Sequence, residues 1–300
     1  MPNYTVPRAS WMLYYTAVFI HEVKNKAMQP IRFLHISDTH FGAEPDFIYH
    51  GKNPYEDALA LLQEIQSLPA TLDFIIHTGD VVSFQSEQAY ALAAKTLQPI
   101  TTPIYFTTGN HDDPVQLNRF PLFAVRTPLV QRDDAVSYYF ERNGVLFIGI
   151  DAKNPDNEDP SGIISQDQLD ALDTLLATTH QSYCIFTHFP LLPIDAPWMD
   201  RHLLVSNGRA AHEIIKKHQQ RCRGIFFGHI HQKVQIYQDG VLYCSVPSNT
   251  FQFGGWPTDE KISYNPSGKP GMNLVTLTDS GIIIKSVGFE RSSASCASKS

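Results

Sequence analysis

Eight side chains of metal-ligand or acid–base type stand directly after short apolar runs. They are Asp38 and His40 in Asp38-Thr39-His40, Asp80 in Gly79-Asp80, Asn110 and His111 in Gly109-Asn110-His111, His188 in Thr187-His188, and His229 and His231 in Gly228-His229-Ile230-His231. The runs before them, residues 31–36, 72–77, 104–107, 183–186 and 225–227, are strand-like. Open α/β sheets bind ligands beyond the carboxyl ends of their strands, so five strand ends carrying such residues describe one site. Glycine directly precedes Asp80, Asn110 and His229, and its missing Cβ permits sharp turns and close backbone approach. Carboxylate, amide oxygen and imidazole together suit borderline first-row cations such as Mn, Fe, Zn or Co. No thiolate joins them, which disfavours a structural cysteine–zinc site. Neighbouring cations need an anionic bridge, and a carboxylate has two oxygens to share. A pair ~3.5–4 Å apart holds a hydroxide and stabilises both ends of an in-line phosphoryl displacement. Singly, each motif also reads as an ordinary turn or cap; jointly and in this order they specify a metal centre.

The elements that must position these residues alternate. Residues 31–36, 72–77 and 104–107 read as strands, with helices over 55–68 and 87–97 between them, which predicts a parallel, right-handed α/β half. Residues 137–140 and 145–150 flank Glu141-Arg142-Asn143-Gly144, a hairpin signal. A helix is expected over 166–176 with Ser165 as N-cap, and another over 209–218. Residues 190–207, with three prolines and Trp198, read as a loop or lid. Strand-like runs follow at 234–237, 241–246, 274–277 and 282–287. The expected fold is α/β: two mixed β-sheets packed face to face with helices outside, a four-layer α/β/β/α sandwich with the metal site at the carboxyl ends of the strands.

Among 300 residues, 43% are hydrophobic and 18% charged, ample for a sizeable core. The net charge of -7 and the lack of a Lys/Arg cluster argue against a long nucleic acid as partner. The largest basic grouping, Lys216, Lys217, Arg221 and Arg223, reads as a solvated helix face. Four scattered cysteines without a C-x-x-C pair fit reduced thiols in a cytoplasmic protein. The apolar stretch 11–20 is shorter than the ~20 residues of a bilayer span, and no A-x-A cleavage pattern follows it. Residues 1–27 are therefore expected to be a loose extension or a mis-assigned start, with synthesis beginning at Met28. Residues 28–290 form the expected catalytic domain, and 291–300 a disordered tail.

Asp38-x-His40, Gly79-Asp80, Gly109-Asn110-His111-Asp112, His188 and Gly228-His229-x-His231 resemble the signature of the calcineurin-like metallophosphoesterases, from about Met28 to Phe289. Within that family, Ile36-Ser-Asp-Thr-His-Phe41 and Pro247-Ser-Asn-Thr-Phe-Gln-Phe253 are most similar to the class III cyclic nucleotide phosphodiesterases of bacterial type. The resemblance implies two divalent metal ions of Fe, Mn or Zn type. Asp38, His40, Asp80 and His231 would hold one; Asp80, Asn110, His188 and His229 would hold the other. It also implies that His111 faces the phosphate, stabilising the transition state or protonating the leaving oxygen, and that Asp112 orients His111. Val81-Val82-Ser83 departs from the family, many of whose members carry an acidic or amide residue in place of Ser83. The arginine-bearing motifs of protein serine/threonine phosphatases are missing.

The expected activity is hydrolysis of 3′,5′-cyclic nucleotides, cAMP foremost, to nucleoside 5′-monophosphates by attack of a metal-bridging hydroxide. Diesterase activity on glycerophosphodiesters, 2′,3′-cyclic nucleotides or a broad set is the alternative, and a non-catalytic scaffold a third. The partner is a small-molecule phosphodiester, and the chain is expected to act as a monomer or homodimer. Asn110, His111, His202 and Phe253 are candidate substrate contacts, with His202 read either as a contact or as solvent-exposed. Phe251, Trp198 and Trp256 read as either a base-binding wall or ordinary packing. Asp151, also after a strand, reads as a support for the site or a loop cap. His35 and His77 lie inside strands and read as satisfied core groups or as groups supporting the metal ligands from behind.

Overall fold

A computed structural model describes residues 28–156 and 159–290; the expectations for 1–27 and 291–300 lie outside the described residues. The chain runs β1 (Ile31–Ile36), α1 (Pro54–Ser67), β2 (Phe74–His77), α2 (Glu87–Leu97), β3 (Ile104–Phe106), α3 (Pro114–Asn118), β4 (Thr127–Pro128), β5 (Tyr138–Arg142) and β6 (Val145–Gly149). It continues through α4 (Gln166–Thr178), β7 (Ser182–Phe186), α5 (Pro197–His202), α6 (Gly208–Lys217) and β8 (Cys222–Phe227). It closes with β9 (Gln235–Gln238), β10 (Val241–Ser245), β11 (Gln252–Phe253), β12 (Tyr264–Asn265), β13 (Gly271–Leu277) and β14 (Ile282–Gly288).

Two mixed sheets result. One has the order β14-β13-β1-β2-β3, the other β4-β5-β6-β7-β8-β10-β9. β1, β2 and β3 pair in parallel, as do β6, β7 and β8. Side-chain alternation along the strands makes the layers. Phe33, Phe147, Phe186 and Phe226 point between the sheets, with ring centroids 5.3–6.0 Å from Phe33. The alternate residues Leu146, Ile148, Tyr183, Ile185, Ile225 and Phe227 form a second core with apolar residues of α4 and α6. Ala58, Leu61, Ala89 and Ala93 bring α1 and α2 onto the other sheet. The expected four-layer sandwich is the observed one.

Helix boundaries follow side-chain chemistry. Asn53 accepts the Glu56 N–H before Pro54, and Ser86 accepts the Ala89 N–H, so each helix starts on a capped turn. Ser165 stands at the head of α4 but makes no side-chain cap bond; its hydroxyl takes the Gln168 amide instead. Residues 190–207 are more ordered than a loop. They contain α5, tied by the Asp200 carboxylate to the N–H groups of Ile194 and Ala196, with Leu192, Trp198 and Met199 buried. Arg221 and Arg223 are no solvated helix face: they donate to carbonyls of Leu176, Thr179, Thr278 and Gly281.

Candidate metal centre

The loops after β1, β2 and β8 turn sharply into the seam between the sheets. Asp38, His40, Asp80, His229 and His231 all have positive φ, between 49° and 66°. That left-handed region is sparse for residues with a Cβ, though Asp and His enter it more readily than most, and it costs on the order of 1–3 kcal/mol each. Backbone hydrogen bonds between adjacent loops hold the turns: Asp38 N–H to Gly79 O at 3.0 Å, His40 N–H to Asp80 O at 3.0 Å, and Gly228 N–H to His188 O at 2.9 Å. A Cβ on Gly228 would stand 2.8 Å from Asp38 Oδ2. Glycine there lets the two sheets bring their ligands together.

Asp38, His40, Asp80 and His231 offer donor atoms within 4.8 Å of one another, and so do Asp80, His188 and His229; every one of these residues is buried. Asp80 is common to both clusters, its Oδ2 lying 3.3 Å from His188 Nε2 and 3.7 Å from His40 Nε2. Asn110 Oδ1 joins the second cluster at 3.3 Å from His188 Nε2. The ring nitrogens aim inward: His40 Nε2 is 3.2 Å from His231 Nε2, and His188 Nε2 is 3.1 Å from His229 Nδ1. Outer partners fix this. His188 Nδ1 donates to Thr78 O and His231 Nδ1 to Phe251 O, which leaves the Nε2 lone pairs for a cation. Buried Asp38 Oδ1 has no hydrogen-bond donor, although His231 Nε2 stands 3.3 Å away. Converging lone pairs without donors fit cations shared between them.

The charge balance agrees. Burial pushes His40 well below its ordinary pKa and His229 down to about 3, so both rings are neutral, as a candidate metal ligand must be. Burial would raise the carboxyls of Asp38 and Asp80, but facing imidazoles outweigh it and hold both below the usual range. Burial lowers His188, yet Asp80 overcomes this and lifts it to about 9. Two buried carboxylates thus demand positive charge, which cations supply as well as protons.

His111 lies at the lip. Its N–H donates to Asp80 Oδ1 at 2.9 Å, and its Nδ1 meets Ser83 O at 2.9 Å. Ser83, at the departure from the family pattern, thus orients the imidazole through its carbonyl, and its hydroxyl donates to His40 O at 2.7 Å. The Asp112 carboxylate is not against the His111 ring. It accepts the N–H groups of Val81, Val82 and Gly109 and the Tyr90 hydroxyl, so it holds the Asp80 loop to the Asn110 loop. The expectation that Asp112 orients His111 fails because the carboxylate is consumed by backbone donors beneath it. Asp151 also bridges the sheets, its Oδ2 accepting the Thr108 hydroxyl at 2.9 Å and the Val136 N–H at 2.7 Å.

A cavity of about 580 Å³ opens over His40, Asp80, Asn110, His111, His229 and His231. Tyr49, His50, Phe251, Phe253, Tyr264 and Trp198 form its aromatic wall. The Phe253 ring stands 4.7 Å from His231 and 5.4 Å from Trp198. His202 lines the cavity and is exposed. Trp256 does not line it and is 73% exposed, so it is no part of this wall.

Residues 31–233 match the family model described as calcineurin-like phosphoesterase. The chain belongs to that family. This phosphoesterase is 28% identical over 231 residues to a protein of Haemophilus influenzae named 3′,5′-cyclic adenosine monophosphate phosphodiesterase CpdA, covering 74% of this chain and 78% of that one. It is 26% identical over 253 residues to a 3′,5′-cyclic-nucleotide phosphodiesterase of Nostoc sp., covering 84% and 90%. Among solved structures, an anchor protein of the inner membrane complex of Plasmodium superposes with a TM-score of 0.56 at 13% identity, over 86% of this chain and 84% of that one. A 5′-nucleotidase of Staphylococcus aureus, described as putative, gives 0.51 at 12% identity over 87% and 54%. At such identities the structural likeness concerns the fold.

The phosphoesterase site brings together all seven residues expected to hold metal, with His111 beside them. His35 and His77 are buried, meeting Thr78 Oγ1 and Thr39 Oγ1, though His77 Nδ1 has no hydrogen-bond partner. Tyr49, His50 and Tyr264 were missed. His50 stacks on Tyr264 at 4.8 Å across 214 positions of sequence, and no local pattern marks either. The short β11–β12 pairing that carries Phe253 and Tyr264 was also missed, because two-residue strands leave no periodicity to read. Among the described residues, no helix is long and apolar enough to cross a membrane.

Proposed function

We propose that this phosphoesterase hydrolyses 3′,5′-cyclic nucleotides, cAMP foremost, to nucleoside 5′-monophosphates. The observation that carries the reading is the pair of buried ligand clusters sharing Asp80, set under a cavity walled by aromatic rings. The names of the curated relatives support the choice of ester. Asp38, His40, Asp80 and His231 would hold one cation, and Asp80, Asn110, His188 and His229 the other. Bound there, the cations supply Lewis-acid stabilisation of phosphoryl charge and a lowered pKa for water.

Water adds to phosphorus and loses a proton, the bond to the 3′ oxygen breaks, and the departing oxygen takes up a proton. With its Nδ1–H held by the Ser83 carbonyl and its ring lining the cavity, His111 would serve that transfer through Nε2, as the imidazolium that gives its Nε2 proton to the departing oxygen. Asn110 would hold a cation through Oδ1, which faces His188 Nε2, and a phosphoryl oxygen through its amide N–H. Phe253 offers a face for the nucleobase, and His202 closes the outer rim. The free thiols of Cys184, Cys222 and Cys244 support a reducing, cytoplasmic setting.

The test is kcat/KM for cAMP, 2′,3′-cyclic nucleotides and glycerophosphodiesters after reconstitution with Mn, Fe, Zn or Co. The proposal requires cAMP to lead. A glycerophosphodiester leading the panel would overturn the choice of ester, and inactivity with every metal would overturn the reaction.

A further inference from the structure

Lys153 lies on the loop after β6, in the opposite sheet from Asp80 and Asn110. Its Nζ donates to the backbone carbonyl of Asn110 at 2.6 Å. That carbonyl belongs to the same peptide unit as the His111 N–H, which donates to Asp80 Oδ1 at 2.9 Å. An ammonium, an amide and the shared carboxylate therefore stand in one hydrogen-bonded line. We infer that Lys153 is a positioning residue that sets the shared carboxylate through the Asn110–His111 peptide.

An ammonium on a carbonyl is a charge-assisted bond, about twice as strong as a neutral one. It draws electrons toward the oxygen and makes the N–H on the far side of the amide a better donor. That donor occupies Asp80 Oδ1 and leaves Oδ2 turned toward His188 Nε2 and His40 Nε2, at 3.3 and 3.7 Å. The same peptide plane sets the direction of the Asn110 side chain, whose Oδ1 faces His188 Nε2.

Lys153 is itself fixed. Its N–H donates to Asp151 Oδ1 at 2.8 Å, while Asp151 Oδ2 grips Thr108 and Val136. Residue 153 also bridges to Gly162, and Ile163 N–H donates to Ala152 O. A half-buried lysine on a pinned backbone has little freedom to serve bulk solvent instead.

The inference rests on the cation-pair reading of Asp80 and Asn110, and not on the identity of the ester. The experiment compares the full-length wild type with Lys153→Met, which keeps the stem without the charge, and Lys153→Arg. Three quantities are measured: the Kd for Mn(II) of chelator-stripped protein by equilibrium dialysis, kcat and KM on bis(p-nitrophenyl) phosphate, and the Tm of the stripped protein. Lys153→Met should weaken Mn(II) binding and lower kcat by about 10–100-fold, with KM within about twofold and the stripped Tm unchanged. Lys153→Arg should recover most of both. Wild-type Kd and kcat in Lys153→Met would overturn the inference. Equal losses in both variants with a lowered stripped Tm would also overturn it, leaving a structural strap. A wild type that binds no Mn(II) and cleaves no diester would overturn the cation-pair reading, and the inference with it.

Discussion

Gly109→Ala adds one methyl group at a position that binds nothing, yet it should disable the centre. A Cβ built on Gly109 stands 2.7 Å from Asp80 Cγ and closer still to Oδ1. Carbon–carbon contacts are comfortable from about 3.5 Å, so the carboxylate or the loop must yield by at least about 0.8 Å. Neither can yield freely. Asp80 Oδ1 is held by the His111 N–H, and Gly109 N–H is held by Asp112 Oδ2 at 3.0 Å. A misplacement near 1 Å costs on the order of 10²-fold in rate, and here it moves the residue common to both clusters. The expected result is a kcat on bis(p-nitrophenyl) phosphate lowered about 100-fold and fewer than two ions retained per chain by elemental analysis. Gly144→Ala in the Asn143-Gly144 turn is the matched control. Its φ is +79° with nothing within 4 Å of the added Cβ, so it should cost about 1–2 kcal/mol of stability and no activity. A Gly109→Ala protein with wild-type kcat and metal content would refute the packing argument.

His111→Asn should lower kcat by about 10²–10⁴-fold while retaining its metal; loss of the metal instead would make His111 structural. Asp80→Asn, which removes the shared charge, should leave fewer than one ion per chain after dialysis; two retained ions would show that Asp80 is not shared. Phe253→Ala should raise KM for cAMP about 5- to 150-fold, as loss of a stack worth about 1–3 kcal/mol requires, and leave a glycerophosphodiester unaffected; equal effects on both would remove the base-stacking role. Stripping metal with a chelator should lower Tm, because cations that bind only the folded site stabilise it by mass action, and re-addition should restore it; an unchanged Tm would speak against occupied clusters.

Much of the fold was legible because its signals are local. The apolar runs at β1, β2, β7 and β8 lie within a few residues of what they specify; the caps at Asn53 and Ser86 are equally local but were not among the expected ones, and the expected cap Ser165 makes no cap bond. Segment 190–207 reads as a loop or lid because its prolines hide α5, which is held by Asp200 and by burial of Trp198; Trp198 and His202 do line the cavity. Asp112 was placed correctly and given the wrong partner. Its neighbour in sequence is His111, but its partners in space are the N–H groups of Val81, Val82 and Gly109.

The sequence by itself determined which donors exist and that each stands at a strand end, because residue type and strand-like runs are written locally. Only the tertiary structure decided how they meet. Asp38, Asp80 and Asn110 follow strands of one sheet, while His188, His229 and His231 follow strands of the other. Their convergence depends on how the sheets pack around Phe33, on left-handed turns at five of the candidate ligands, and on struts such as Lys153 to Asn110. The aromatic wall is likewise assembled from residues as far apart as His50 and Tyr264. Such contacts arise from packing between distant segments, and packing leaves no period in the chain for a reader to find.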